Sequence, residues 1–183
     1  MPELDLAPHT MGDRAFHVRP ASARAVLRLK SWQLKRSEGT PLVLAGCELP
    51  GAVGTETEGM PRVLCTGPGE WLVVYAQTGV TRLRHILAPD LKPQCLALVD
   101  LTDGLAVLEV SGSGVREVLA KSCGLDFDPR RFEVKHCART RFAKIPVVID
   151  CIQDGGVFEL YAPRSYATYL KSWLWDAAVE FGA

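Results

Sequence analysis

Two short patterns combine residue types that could bind a cofactor or a metal. Gly112-Ser113-Gly114 follows an apolar run and precedes a helical pattern, as the glycines of a dinucleotide-binding loop do. Glu117 stands where the third glycine belongs, however, and its carboxylate would repel a pyrophosphate. His136 and Cys137 are adjacent soft ligands, whereas zinc sites usually have paired ligands two to five residues apart. We therefore predict a plain helix start at residues 112–114 and no metal site.

Acidic residues occur in two tight clusters that could exchange protons. Asp100 and Asp103 bracket Thr102, and Asp126 and Asp128 follow a predicted helix. Paired carboxylates can share a proton, but turn residues of this kind mostly hydrogen-bond their own backbone. The chain has no G-x-S-x-G motif and no cysteine with a histidine at a recognisable catalytic spacing. We therefore predict no catalytic residue, although a triad assembled from distant residues would leave no such spacing.

Basic residues concentrate in two stretches, residues 14–36 and 130–144. Their positive charge either forms a solvated face or meets an acidic protein partner or an anionic ligand. Arg24 and Arg28, in the first stretch, are our candidates for such an interface. The chain has 21 basic and 21 acidic side chains and no recognisable nucleic-acid-binding motif, which argues against a nucleic-acid partner.

The C-terminal helical pattern leaves one tryptophan without a role in the domain's own core. Trp175 lies two residues beyond Trp173, about 200° around the helix, so that one of the two faces away. An exposed tryptophan is costly unless an interface covers it. Trp175 is therefore an interface candidate, and we add Arg164 at the start of the same helix. The inner face of this helix, which begins at Ser165, is predicted to carry Tyr166, Tyr169, Leu170, Trp173 and Leu174.

The elements that position these residues follow from the apolar patterning. Hairpin patterns surround Gly67-Pro68-Gly69 and Asp103-Gly104, and amphipathic helices follow the strands. Because hairpins outnumber crossovers, the pattern predicts an α+β fold with largely antiparallel sheets. A shift of 87 residues, from Trp71 to Phe158, superposes two glycine-turn, strand and helix patterns. The match indicates either a duplication or two similar units that coincide by chance.

Length and composition bound the class of protein. The chain has 183 residues, 48% hydrophobic and 23% charged, which predicts one domain or two small, closely packed subdomains. Residues 1–22 mix proline and charge without a period and predict a flexible arm, with a single domain of two halves at 23–183. The six cysteines have no C-x-x-C spacing, so we expect reduced, buried thiols. Neither a secretory signal nor an apolar run of roughly 20 residues is visible, so we expect a cytoplasmic protein with no membrane partner.

An ordered set of segments resembles the gamma subunit of heterotetrameric sarcosine oxidases. The resemblance covers residues 25–181, and the region from Lys35 to Met60 departs from it most, with more glycine and proline. The matching segments are Gly67-Pro68-Gly69-Glu70-Trp71-Leu72, Val99-Asp100-Leu101-Thr102-Asp103, Leu108-Glu109-Val110-Ser111-Gly112, Val118-Leu119-Ala120-Lys121-Ser122-Cys123-Gly124-Leu125-Asp126-Phe127, Phe158-Glu159-Leu160, Arg164-Ser165-Tyr166 and Tyr169-Leu170-Lys171-Ser172-Trp173-Leu174.

That family is similar to the folate-binding domain of aminomethyltransferases, the glycine-cleavage T-protein group. The resemblance implies two β-β-α-β-type halves related by duplication and a small, non-catalytic subunit with no cofactor of its own. The partners it implies are alpha, beta and delta subunits, which hold FAD, NAD, covalent FMN and tetrahydrofolate, with zinc in the small delta subunit. Such complexes demethylate sarcosine, passing electrons to oxygen and the one-carbon unit to tetrahydrofolate.

The resemblance also leaves an alternative, a stand-alone folate-binding or one-carbon-transfer protein. Asp126 matches the position where T-proteins carry an aspartate important for folate, and Arg130 or Arg139 would pair with the glutamate tail. Because 183 residues are about half the length of such an enzyme, we expect no third T-protein domain and therefore no complete pocket of the kind that three domains form. A homo-oligomeric interaction module is a further possibility. Under the subunit hypothesis, the arm at 1–22 becomes ordered against a partner.

Overall fold

The computed structural model of the protein describes residues 9–11, 14–21, 24–31, 42–44, 47–57, 61–76, 80–91 and 96–181. The described residues fall into two compact units: the β3 unit, within residues 22–105 and 135–139, and the β12 unit, within 1–21, 106–134 and 140–183. The strands are β1 (His9–Met11), β2 (Arg14–Pro20), β3 (Arg24–Ser31), β4 (Val43–Leu44), β5 (Cys47–Glu48), β6 (Arg62–Gly67), β7 (Glu70–Ala76), β8 (Leu96–Asp100), β9 (Leu105–Ser111), β10 (Cys137–Phe142), β11 (Ile145–Gln153) and β12 (Val157–Pro163). The helices are α1 (Val80–Leu91), α2 (Val115–Ala120) and α3 (Ala167–Ala178), with 3-10 turns at Arg164–Tyr166 and Val179–Phe181.

The β3 unit is built on a four-stranded sheet in the order β6-β7-β3-β8, in which all neighbours are antiparallel. Along β3, Leu27 and Leu29 are fully buried, whereas Arg28 and Lys30 are exposed, as expected when side chains alternate between two faces of a strand. The buried face belongs to one apolar core, which includes Leu27, Leu29, Leu42, Leu44, Leu49, Val63, Cys65, Trp71, Val73, Leu87 and Leu96.

The turn between β6 and β7 is set by Gly69, whose φ of 68° lies in the left-handed region that favours glycine. The hairpin predicted at these residues is thereby confirmed. The second predicted hairpin, around Asp103-Gly104, is wrong, because β8 pairs with β3 whereas β9 belongs to the six-stranded sheet. Trp71 follows the turn and is 2% exposed, and its indole Nε1 donates to the Pro50 carbonyl at 2.9 Å. A buried indole N–H needs such an acceptor, so this bond fixes the tryptophan within the core.

The β12 unit is built on a six-stranded sheet in the order β1-β2-β9-β12-β11-β10. β11 and β12 form an antiparallel hairpin in which Ile149 lies opposite Leu160, and both side chains are fully buried. α2 packs beside α3, and each helix buries an apolar stripe. The fully buried helix residues are Val118, Leu119, Leu170, Leu174 and Ala178.

The two units repeat one pattern. A shift of 87 residues, the separation of Glu70 and Val157, carries β7 onto β12 and α1 onto α3 from end to end. The strand order β6-β7-β3-β8 recurs as β11-β12-β9-β2. The predicted fold class, α+β with duplicated halves and largely antiparallel sheets, is confirmed.

The structure departs from the predicted arm at residues 14–20. These residues form β2, which pairs antiparallel with β9, and Phe16 and Val18 are 0% and 4% exposed. In the order of strands, β2 stands beside β9 where β8 stands beside β3. The segment is therefore the fourth strand of the second repeat, and the interface argument that relied on a mobile arm does not apply to it. Of the rest of the predicted arm, only β1 and Ala21 are described. Residues 1–8, 12–13 and 22 lie outside the described residues.

Of the six cysteines expected to be reduced, buried thiols, four have side chains that the structure describes, and three of these four are buried, whereas Cys123 is half-buried. Cys65, Cys123, Cys137 and Cys151 are free, and burial raises the pKa of the Cys65, Cys123 and Cys151 thiols. A raised pKa keeps a thiol protonated and unreactive. Among the described residues, no helix combines the length and the apolarity needed to cross a lipid bilayer.

Candidate functional site

Asp126, the residue matched to the folate aspartate, caps a turn in the loop after α2. Its carboxylate oxygen Oδ1 accepts the backbone N–H of Asp128 at 3.0 Å, and the residue is exposed. Asp128 in turn accepts hydrogen bonds from Arg130, from Nε at 3.0 Å, from Nη2 at 2.8 Å and from the backbone N–H at 2.9 Å. These bonds hold the pKa of the Asp128 carboxyl well below its usual range. Both acidic residues therefore stabilise the turn in which they lie.

The two arginines considered for a folate tail are already paired with carboxylates. Arg130 is paired with Asp128, and Arg139, in the β3 unit, donates from Nη1 to Glu70 Oε2 at 3.1 Å. Neither guanidinium stands ready for a bidentate contact with a ligand carboxylate unless the existing pair opens. The loop at Asp126 thus lacks a prepared anion partner among the residues that we had selected.

Arg116, which sequence reasoning missed, organises the same loop from helix α2. Its Nη1 donates to the carbonyls of Phe127 at 2.8 Å and Phe132 at 3.0 Å, and its guanidinium carbon lies 5.0 Å from the centre of the Phe158 ring. One side chain thereby ties the loop to the helix and covers an aromatic ring of β12. The only sequence signal was a cation flanking the apolar face of a short helix.

Two acidic residues inside apolar strands were also missed. Asp150 on β11 and Glu159 on β12 lie directly opposite each other, and both are fully buried. The Tyr161 hydroxyl donates to Glu159 Oε2 at 2.5 Å. Carboxylates facing each other away from water are stable only with hydrogen bonds or compensating charge. The signal was a single acidic residue within each of two otherwise apolar strands.

The metal and nucleotide patterns have structural roles in the described residues. Cys137 is buried, and its thiol lies 3.7 Å from the carbonyls of Thr55 and Cys65. Gly112 has a φ of 117° and precedes α2, which begins at Val115, as predicted for a plain helix start. Within the described ranges, no group of three or more His, Cys, Asp or Glu residues is gathered in a way that suits a metal ion.

The exposed aromatic residues of the C-terminal helix differ from the expectation. Tyr166 and Tyr169 were assigned to the core, but they are 43% and 41% exposed, because the buried stripe is Leu170, Leu174 and Ala178. Tyr169 stacks near Trp173 with ring centres 6.3 Å apart. Trp175 is half-buried, so the residue selected as the outward tryptophan is less exposed than the two tyrosines.

The arginine candidates occupy different environments. Arg164 is exposed and Arg24 is half-buried, and each has at least one polar or electrostatic contact in the structure. Arg28 is exposed and belongs to a group that we call the β3 cation patch: Arg28, Lys30, Arg139 and the single carboxylate of Glu70. Lys30 Nζ lies 2.9 Å from Glu70 Oε1, and this hydrogen bond, with the charges of Lys30, Arg139 and Arg28, lowers the pKa of Glu70. Three cations around one carboxylate leave the patch with net positive charge.

Comparison with known proteins assigns the family. A sequence model described as the sarcosine oxidase, gamma subunit family matches residues 42–180. The chain belongs to this family. It is 29% identical over 180 residues to the sarcosine oxidase subunit gamma of Corynebacterium sp. strain U-96, an alignment that covers 97% of this chain and 86% of the relative. The subunit gamma of an Arthrobacter sp. is 35% identical over 134 residues, which cover 73% of this chain and 64% of that protein.

Two solved structures are similar to the chain. A chain of the heterotetrameric sarcosine oxidase from Corynebacterium sp. U-96, in complex with pyrrole 2-carboxylate, superposes with a TM-score of 0.82 and 27% identity, covering 96% of this chain and 89% of that one. The glycine cleavage system aminomethyltransferase T from Bartonella henselae superposes with a TM-score of 0.58 and 12% identity, covering 87% of this chain and 45% of the enzyme. This second match shows a shared fold.

The family model covers some of the candidate residues and not others. Asp126, Arg164 and Trp175 lie within the matched residues 42–180, whereas Arg24 and Arg28 lie before them. The loop organised by Arg116 and the buried pair Asp150 and Glu159 also lie within the matched part. The family model therefore covers every candidate except Arg24 and Arg28.

Proposed function

We propose that this chain is a non-catalytic gamma subunit of a heterotetrameric, sarcosine oxidase-like flavoenzyme. Its role is to support assembly of the large subunits, which oxidatively demethylate sarcosine and pass the one-carbon unit to tetrahydrofolate. The observation that carries the proposal is the superposition of nearly the whole chain on a chain of a heterotetrameric sarcosine oxidase. The partners would be alpha, beta and delta subunits, and FAD, NAD, FMN and tetrahydrofolate would lie in those partners.

The environments of the acidic and basic candidates support a structural role. Asp126 and Asp128 are engaged in a turn, and Arg130 and Arg139 are paired with carboxylates. A general acid or base must lie within hydrogen-bond reach of a reacting group and keep a free protonation site. We also propose a cytoplasmic location, which the free thiols favour because disulfides are rare in that compartment.

The proposal is tested with the full chain, alone and together with its partners. The isolated chain should fold but give no turnover with sarcosine, with or without added flavin. Co-expression with the large flavoprotein subunits of such an enzyme should yield a stable complex that contains the chain. Turnover by the isolated chain, or its exclusion from the complex, would sink the proposal.

The alternative function, a stand-alone folate-binding or one-carbon-transfer protein, is favoured by the aminomethyltransferase fold. Asp126 is exposed, and its hydrogen bond to the Asp128 N–H uses only Oδ1, so a ligand could reach Oδ2. Titration of tetrahydrofolate into the isolated chain decides between the two. Micromolar binding that is lost in Asp126→Ala but kept in Asp103→Ala, a matched exposed turn residue, would favour the alternative.

A further inference from the structure

Strand β8 ends the sheet of the β3 unit with one side exposed for pairing. In the order β6-β7-β3-β8, it is the last strand, and no strand of the described part of the chain pairs with its outer side. The Leu101 N–H donates to the Val26 carbonyl at 2.8 Å, which shows which residues of β8 hydrogen-bond to β3. Along an antiparallel strand, the N–H and C=O groups of successive residues point to opposite sides. The backbone groups of Ala97 and Val99 therefore face β3, and those of Leu98 point away from it.

The other repeat shows what the same position can hold. Strand β2 occupies in the β12 unit the place that β8 occupies in the β3 unit. Its outer side is paired with β1 over residues 14–16. An additional strand at this position is thus already part of the fold in one repeat, whereas the described residues supply none in the other.

The two faces beside β8 differ in chemistry. On one face, Leu98 borders a groove of about 400 Å³ between α1 and β8, lined by Thr81, His85, Ala88, Leu91 and Leu98. On the opposite face, Val99 lies beside Arg28 and Ala97 beside Lys30. Val99 is 43% exposed, and both cations are exposed members of the β3 cation patch.

We propose that β8 accepts an extended segment of a partner subunit whose residues alternate between apolar and acidic types. Paired with β8, such a segment would direct its apolar side chains towards the groove at Leu98 and its acidic side chains towards Arg28 and Lys30. Strand addition supplies affinity through main-chain bonds and specificity through alternate side chains. The inference rests on the proposed function, since it takes the segment from a partner subunit.

Charge and distance agree with this occupant. An added strand lies about 10 Å from β3, two strand spacings away, and long side chains from both strands can meet above Val99. The patch has three cations and one carboxylate, so it attracts acidic side chains and repels basic ones. Asp100, at the end of β8, lies opposite Leu27 and therefore on the same face as Leu98, so it does not face the acidic side chains that would lie beside Ala97 and Val99.

The backbone is tested by a matched pair of variants in the co-expressed complex. Leu98→Pro removes the backbone N–H that points away from β3 but leaves the hydrogen bonds to β3 in place. Leu98→Ala also shortens the side chain but keeps this N–H. Leu98→Pro should reduce co-assembly with the large subunits at least about tenfold relative to Leu98→Ala. Equal assembly of the two variants would overturn the inference. Failure of the unaltered chain to assemble would instead overturn the proposed function.

The side-chain pattern is tested on the full chain with a synthetic heptapeptide that alternates valine and glutamate. Its binding should slow amide exchange at Leu98 about tenfold, because that N–H becomes hydrogen-bonded. A peptide with lysine in place of glutamate should bind weakly. The double change Arg28→Glu and Lys30→Glu should abolish protection, whereas Arg19→Glu, at an exposed position of strand β2, should preserve it.

Four outcomes would contradict the side-chain pattern. These are absence of protection at millimolar peptide, protection confined to other strands, equal binding of the lysine peptide, and preserved binding in the double variant. Protection of the Leu98 amide in the free monomer would mean that another part of this chain fills the position. Protection that appears only with dimer formation would identify a second copy as the occupant. Either of these last results also overturns the inference.

Discussion

The two repeats share strand and helix positions but complete their sheets from different parts of the chain. In the β3 unit, the strand after α1 returns to pair with β3. In the β12 unit, α3 is followed by a single 3-10 turn in the described residues, and β2 from the N-terminal region pairs with β9 instead. The difference teaches that a segment with a linker-like composition can be an integral strand of a repeat that lies elsewhere in the sequence.

The repeats also differ in the polar groups that their buried strands carry. At equivalent positions, Trp71 uses its indole N–H on the Pro50 carbonyl, whereas Phe158 has no polar atom and lies under the Arg116 guanidinium. The β12 unit buries Asp150 and Glu159 within its strands, and the β3 unit places its charges on an exposed patch. The same architecture therefore carries buried carboxylates in one repeat and an exposed cluster of charges in the other.

The largest effect should come from emptying the core position filled by β2. Phe16→Ala removes a side chain that is fully buried and should lower the free energy of unfolding by about 3–5 kcal/mol. Arg19→Ala, on the same strand but exposed, should change it by less than about 1 kcal/mol. Urea denaturation measures both. If Phe16→Ala is as mild as Arg19→Ala, then β2 is a dispensable arm and the comparison of the repeats fails.

The equivalent glycines, Gly69 and Gly156, should respond unequally to alanine. A Cβ at Gly156 would lie 2.8 Å from Val115 Cγ1, and the residue has a φ of 89°. A Cβ at Gly69, at a φ of 68°, would lie 3.6 Å from its nearest neighbour. Overpacking together with the backbone strain should cost about 2–4 kcal/mol in Gly156→Ala, against about 1 kcal/mol in Gly69→Ala. Thermal unfolding of the two variants gives the order, and a reversed order would show that the turns are not built as described.

Loss of the Arg116 contacts should have an intermediate effect confined to the β12 unit. Arg116→Met leaves the carbonyls of Phe127 and Phe132 without their donor and should cost about 1–3 kcal/mol. Arg130→Met, an exposed arginine of the same loop, should have little effect. Hydrogen exchange should show faster exchange in residues 127–132 of the first variant only. Unchanged exchange there would mean that Arg116 does not organise the loop.

The smallest effect concerns the pH dependence contributed by Glu70. Lys30 lowers the pKa of its carboxyl from the ordinary value of 4.5, so the stability it contributes is present above that pH and is lost as pH falls through the lowered pKa. Because the pair is partly exposed, the contribution should be below about 1 kcal/mol and should shrink further in about 0.5 M salt. Glu70→Gln should flatten this part of the stability profile. An unchanged profile would show that the β3 cation patch adds nothing to folding.

Periodicity predicted the elements whose register is local. β7, α1, β12 and α3 were indicated by apolar spacing and by the shift between Trp71 and Phe158. β2 was missed because Pro20 and the surrounding charges obscured its only strand signal, the alternate apolar residues Phe16 and Val18. A strand whose partner lies about 90 residues away along the chain is fixed by tertiary pairing and not by local preference.

The site residues were harder to predict, because their roles depend on register and on which helix face is buried. The pairing of Asp150 and Glu159 could be predicted only from the register of the hairpin, which places them opposite each other. Tyr169 could not be separated from Leu170 by helical spacing, since neighbouring positions both lie near the edge of an apolar stripe. The resemblance to a family identified the biological context that composition and spacing alone did not show.

The most direct test of the account is native mass spectrometry of the large subunits co-expressed with and without this chain. The account predicts a single complex that contains the chain, and dissociated or incomplete assemblies when the chain is omitted. Sarcosine oxidation should follow the amount of complete complex, with no activity in the isolated chain. The same complex and the same activity in the absence of this chain would contradict the central claim that it serves as an assembly subunit.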